Sequence, residues 1–292
     1  MEKNVTAPDR LGVTLLPDGR RLGWAEWGPA SGTPVLFCPG AATSRSLGFG
    51  AHLLAGLGDH GVRLISVDRP GLGASDPAPG RTLLDFAGDM TSLVGLRELT
   101  GVRGIGFSQG APFLLACAAA GTLDAAAVVA GTDELAHPSF AASLIPDVAA
   151  MVDAVRSDPV AAERFFAGWG DADGFWQRIL SMAGDGDRAV YTDPAFAEAY
   201  RRALHEAFVQ GPGGYARDTV LASARWPFDP ADVRIPVDLW YGDADTSPVH
   251  SPDLGATLAS RLPDARRHVV AGAGGALLWT HAEPILETLM SR

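Results

Sequence analysis

The sequence predicts an α/β protein: a mostly parallel eight-stranded sheet flanked by helices, with an inserted helical lid. Three observations carry that expectation. Short apolar runs alternate with helical patterns over residues 34–130 and again over 236–292, and such alternation implies parallel strands covered on both faces. Between them, residues 138–230 lose the alternation and read as helix broken by Gly-Asp loops. Finally, Gly106-Phe107-Ser108-Gln109-Gly110 joins an apolar strand to a helix. The glycines permit a turn too tight for a flanking Cβ, and the turn pushes a hydroxyl clear of the backbone.

In order along the chain, residues 12–16 and 21–27 read as paired strands across the turn Pro17-Asp18-Gly19. Residues 34–37 and 62–67 are apolar enough for buried strands, with a helix expected over 47–59 between them. A helix over 82–99, a strand over 101–107, an alanine-rich helix over 111–120 and a strand over 123–130 complete the first half. After the helical stretch come a strand over 236–241, a helix over 252–262, a strand over 267–270 and a final helix. The expected division is a core of residues 1–137 and 231–292, with 138–230 as the lid.

Composition narrows the function classes. The 292 residues are 47% hydrophobic, enough for one large core and a modest extra lobe. A formal net charge of −11 argues against nucleic acid or an anionic membrane as a partner. No run approaches the roughly 18 apolar residues of a membrane span, and residues 1–10 lack the apolar centre of a secretory signal. Cys38 and Cys117 lie inside apolar segments and are expected as buried free thiols, which fits a cytoplasmic protein. No metal-ligand cluster, phosphate loop or dinucleotide fingerprint occurs, so no metal and no cofactor is expected. Oligomeric state is not legible.

Four motifs in consistent order give the chain its resemblance. Phe37-Cys38-Pro39-Gly40-Ala41 follows the third strand, and Asp68-Arg69-Pro70-Gly71-Leu72-Gly73-Ala74-Ser75-Asp76 follows the fourth. The Ser108 elbow follows the fifth, and Tyr241-Gly242-Asp243-Ala244-Asp245 ends the seventh. In this arrangement the chain resembles the α/β-hydrolase superfamily, closest to its lidded esterases and proline-iminopeptidase-like enzymes. The resemblance implies Ser108 as nucleophile, Asp245 as the acid, and the backbone N–H groups of Ala41 and Gln109 as an oxyanion hole. The chemistry needs each part: a serine hydroxyl requires a base to remove its proton, and the tetrahedral oxyanion requires donors already aimed at it. Gly40-Ala41 as a plain tight turn and Ser108 as a structural elbow serine are the bland alternatives. Asp243 reads as a solvated loop carboxylate.

One part is absent from its usual place. The family carries a Gly-His after its last strand, and here that position reads Gly275. Glycine cannot accept a proton, so the base is relocated or supplied by the substrate, unless Gly275 is itself an inactivating substitution. His281 is the nearest replacement; Thr280-His281-Ala282-Glu283 has the form of a capping box, which places it in the first turn of the last helix. His137 is a second candidate base and Asp133 a runner-up acid, both following the sixth strand. His250 reads as an exposed loop residue. The expected activity is serine-dependent hydrolysis of an ester, lactone or related acyl compound of apolar character. The alternatives are a lyase, cyclase or isomerase in the same pocket, or a binder without turnover. The lid aromatics shield an apolar substrate or are simply lid core.

Overall fold

The computed structural model describes residues 4–292, so the first three residues of the polar segment 1–10 lie outside the described residues. Eight strands form one sheet: β1 (Arg10–Leu15), β2 (Arg21–Trp27), β3 (Thr33–Cys38), β4 (Val62–Val67), β5 (Arg103–Phe107), β6 (Ala125–Val129), β7 (Val237–Gly242) and β8 (Ala265–Val270). Their spatial order is β1-β2-β4-β3-β5-β6-β7-β8. The pairs β1/β2 and β2/β4 are antiparallel, and every later pair is parallel. The alternating pattern therefore predicts the eight-stranded, mostly parallel sheet correctly.

Strand residues feed two cores in alternation, as a pleated strand must. Val35, Phe37, Ile105 and Phe107 face one side of the sheet, with Leu277, Ile285 and Leu289. Leu36 and Cys38 face the other, with Phe86, Phe113 and Leu114. Phe113 and Leu114 lie on α2 (Gly110–Ala119), and Phe86 lies on α1 (Leu83–Leu96). Thr82 and Asp85 close α1 with a reciprocal capping box. Close helix-on-strand packing is possible because β5 is partly glycine. A Cβ at Gly104 would lie 2.4 Å from Leu114 Cδ1. Both cysteines are free and buried.

Six helices separate β6 from β7: α3 (Pro146–Ser157), α4 (Pro159–Ala167), α5 (Ala172–Met182), α6 (Asp185–Tyr191), α7 (Pro194–Ala207) and α8 (Gly213–Ser223). Local chemistry sets their starts. Asp158, Asp171 and Asp193 each accept backbone N–H bonds in the first turn, and proline opens α3, α4 and α7. Trp176, Tyr191, Phe196 and Tyr200 are buried in the core cluster that also holds Trp279. After the sheet resumes come α9 (Ala256–Arg261), α10 (Leu277–Thr280) and α11 (Ala282–Met290).

Three local expectations fail. Instead of a helix over 47–59, there is only a short 3₁₀ turn, Leu54–Gly56. Gly50 and Gly58 adopt φ of +58° and +67°, and glycine freedom overrides the apolar spacing there. The helix expected over 252–262 begins only at Ala256, because Gly255 sits left-handed at its N-cap. No capping box forms at 280–283. His281 itself is the N-cap of α11 and makes no side-chain cap bond. No helix among the described residues is long and apolar enough to cross a membrane.

Candidate active site

The site gathers at the carboxyl ends of β3, β5, β6 and β7, where parallel strands deliver their loops to one edge. Ser108 stands in the turn between β5 and α2 with φ +49°, a left-handed conformation that a non-glycine residue holds only under constraint. The constraint is visible. Ser108 N–H donates to Val129 C=O (3.1 Å), and its carbonyl accepts from Ala111 (3.0 Å) and Thr132 (3.0 Å). The flanking glycines are obligatory: a Cβ at Gly110 would lie 2.0 Å from Cys38 O, and one at Gly106 would lie 3.0 Å from Ala111 Cα.

The group that meets the Ser108 hydroxyl is His250. Its Nε2 lies 2.9 Å from Ser108 Oγ, and its Nδ1 lies 2.6 Å from Asp245 Oδ2. A carboxylate only accepts, so Nδ1 carries the proton and Nε2 is left to accept from the serine. Asp245 Oδ1 accepts from Ser247 N–H at 2.9 Å. Burial pushes the Asp245 carboxyl up, but the charge and hydrogen bond of His250 outweigh it, aided by the Ser247 N–H. The net effect holds Asp245 below the ordinary carboxylate range. Asp245 and His250 thus share the loop after β7.

That loop is held by the sixth strand's end. Ser251 N–H donates to Gly131 C=O at 3.0 Å, and the Ser251 hydroxyl donates to Asp133 Oδ2 at 3.2 Å. Asp133 is fully buried, which raises its carboxyl to about 6 despite the Glu134 N–H and Ser251 bonds. Asp133 therefore anchors the residue next to His250 and does not face the imidazole as its acid.

The other expected base positions are corrected. His281 Nδ1 pairs with the neighbouring Thr280 hydroxyl at 2.9 Å, and His281 is absent from the cavity wall around Ser108. Six residues of chain beyond Gly275 carry it past the site. His137 Nδ1 accepts from Ser139 N–H at 3.3 Å, capping a 3₁₀ turn, and it too lies off that wall. Burial and nearby Arg261 lower its pKa. His250 is 9% exposed, not an exposed loop residue. The sequence signal for it was a histidine five residues after the acid on a loop aimed at the elbow. Spacing alone does not show that such a loop folds back.

A side chain at Gly275 would have to displace the Asp245 carboxylate. A Cβ there would sit 2.9 Å from Asp245 Oδ1. Asp187, from α6, lies against the same loop. Its two oxygens accept from Gly275 N–H and Ala276 N–H, each at 2.8 Å. Asp243 Oδ1 accepts from Gly272 N–H at 2.6 Å and ties the loops after β7 and β8 together while staying exposed.

Ala41 and Gln109 both line the cavity at Ser108. Neither N–H is taken up by a backbone carbonyl among the described residues, and Gln109 is the N-cap of α2, where the helix dipole favours negative charge. Fully buried Arg69 fixes the Ala41 side. It donates to Pro39 C=O (2.6 Å) and Gly40 C=O (2.9 Å), while its Nε donates to buried Asp218 Oδ2 (2.6 Å) on α8. A trans peptide points its C=O and N–H in opposite directions. Pinning Gly40 C=O on Arg69 therefore turns Ala41 N–H away from that guanidinium.

The cavity holds about 160 Å³ and is mainly apolar, walled by Phe107, Phe175, Ile179, Met182, Tyr191 and Tyr215 among others. Much of that wall comes from α5 to α8. Among the described residues no His/Cys/Asp/Glu group is arranged to hold a metal.

The family comparison agrees with this architecture. A family model described as "Alpha/beta hydrolase family" matches residues 35–288. A non-heme chloroperoxidase of Streptomyces lividans is 35% identical over 101 residues, a match that spans 34% of this chain and 36% of the relative. Among solved structures, a bromoperoxidase from Bacillus anthracis superposes with a TM-score of 0.67 at 21% identity, covering 97% of this chain and 99% of its own. The enol-lactonase of Burkholderia xenovorans LB400 gives 0.67 at 17% identity, covering 96% and 98%. The esterase RhEst1 of Rhodococcus sp. ECU1013 gives 0.64 at 21%, again covering 96% and 98%. With the family model spanning most of the sequence, the chain belongs to the alpha/beta hydrolase family.

Proposed function

We propose that this protein hydrolyses a carboxylic ester or lactone through a covalent acyl-enzyme on Ser108. The observation that carries the reading is the Asp245–His250–Ser108 relay, with contacts of 2.6 and 2.9 Å. In the first step His250 Nε2 takes the hydroxyl proton as Ser108 Oγ attacks the substrate carbonyl. The N–H groups of Ala41 and Gln109 receive the charge that develops on the former carbonyl oxygen. Asp245 holds the imidazole tautomer and stabilises the imidazolium. His250 then returns the proton to the departing alkoxide, and water repeats the cycle on the acyl group. Esterase and enol-lactonase neighbours support the ester or lactone class.

The base does not need to come from the substrate in this reading. The binder alternative drew on a missing histidine and the lyase alternative on the aromatics of residues 138–230; the His250–Ser108 contact of 2.9 Å favours hydrolysis over both. Hydrolysis of a short-chain 4-nitrophenyl ester tests the proposal. Turnover by the wild type and loss of about 10⁴-fold or more in Ser108→Ala is the expected result. Equal turnover by both proteins would contradict it.

A further inference from the structure

Among the described residues, the cavity wall carries one permanent cation, Arg178. It lies on α5, where Phe175, Arg178, Ile179 and Met182 all line the cavity at i, i+3, i+4, i+7 spacing, so one helix face is turned inward. Three of those four residues are apolar. The guanidinium sits over aromatic rings, with Cζ 4.6 Å from the Trp169 centroid and 5.8 Å from that of Phe175. Its charge also lies close enough to the Tyr215 hydroxyl to oppose the burial that raises that group's pKa. Stacking satisfies the faces of a guanidinium and leaves its edge donors free.

Those donors are not neutralised. Arg178 Nη1 is buried and has no hydrogen-bond partner among the described residues, and no carboxylate there pairs with Arg178. The two acids on the same wall are committed elsewhere. Asp245 is engaged by His250 and Ser247, and Asp187 by the N–H groups of Gly275 and Ala276. A buried donor without an acceptor is costly, and an apolar cavity makes an anionic partner worth more than it would be in water.

We propose that Arg178 makes the cavity selective for acyl substrates that carry a carboxylate remote from the reacting carbonyl. The inference rests on the ester reading above. One planar fork with one cationic charge matches a monoanionic carboxylate, and the neighbouring wall accommodates the apolar linker between the two groups. The overall charge of −11 disfavours anionic substrates at long range, so any preference for one must come from a local cation.

Two 4-nitrophenyl esters of equal chain length test this: neutral hexanoate and the monoester of adipate. The wild type is expected to favour the adipate monoester in kcat/KM by about tenfold or more. In Arg178→Met the ratio of the two values should fall by about 10- to 100-fold, whichever way the neutral ester moves. Arg178→Lys, which keeps charge but loses the fork, should fall between. Turnover of the neutral ester without preference for the monoester, or an unchanged ratio in Arg178→Met, would overturn the inference and leave the ester reading intact. Turnover of neither ester by the wild type would remove the ester reading and the inference with it.

Discussion

The loops after β7 and β8 lie side by side, yet they divide the work unequally. The first carries Asp245 and His250 within six residues and is tied to β6 through Ser251, Gly131 and Asp133. The second, residues 271–276, is entirely glycine and alanine and presents the backbone N–H groups of Gly275 and Ala276 to Asp187. In the resemblance read from the sequence, the second loop supplies the base. Here the two loops approach so closely that a Cβ at Gly242 would lie 2.1 Å from Ala273 O. In the proposed mechanism the base therefore sits on a neighbouring loop with its imidazole spanning Asp245 and Ser108, and the second loop instead bonds Asp187 of α6. Catalytic geometry constrains atoms more tightly than it constrains their place in the chain.

The largest test of that contrast removes the working loop's groups. Ser108→Ala and His250→Ala should each lower kcat by about 10⁴- to 10⁶-fold, and Asp245→Asn by about 10⁴-fold, measured on a neutral ester. A smaller but more pointed test puts the base back in the second loop. Gly275→His should lower kcat/KM by about 10²-fold, because its Cβ displaces Asp245. In a His250→Ala background the same substitution should fail to restore activity.

Next in size is the support of the oxyanion loop. Arg69→Lys keeps the charge opposite Asp218 but loses the fork on Pro39 and Gly40 carbonyls. We expect about a tenfold fall in kcat with KM little changed, since a mis-aimed donor costs less than a deleted one. A matching fall in stability with unaltered kcat would assign Arg69 to packing alone.

The smallest effect concerns the anchor of the base loop. The Asp133 carboxyl is raised to about 6 by burial, so the folded state prefers it protonated. Its contribution to stability is full below the ordinary carboxylate value and is lost as pH rises through about 6, a change of about 3 kcal/mol. Asp133→Asn should remove that slope. Comparing urea midpoints of the two proteins at pH 4 and pH 8 isolates it from the other carboxylates.

How much was legible follows from which information is local. Parallel strands between helices must be continuous apolar runs, so 34–37, 62–67 and 236–241 announced themselves. The elbow needs two glycines at fixed spacing, and Ser108 was found for that reason. The helix expected over 47–59 is absent because Gly50 and Gly58, both at positive φ, override the apolar spacing. His250 was passed over because nothing in Pro248-Val249-His250 reveals that the loop returns to Ser108. That return is fixed by Ser251 on Gly131, a contact between residues 120 apart in the chain. Arg178 likewise carries no local signal; only the placement of its helix face against the cavity singles it out.

Which histidine activates Ser108 is the central question, and labelling by a fluorophosphonate reports it directly. Mass spectrometry should find the adduct on Ser108 in the wild type, formed at the same rate in His281→Ala, and nearly absent in His250→Ala. Rapid labelling of His250→Ala, or loss of labelling in His281→Ala, would contradict it.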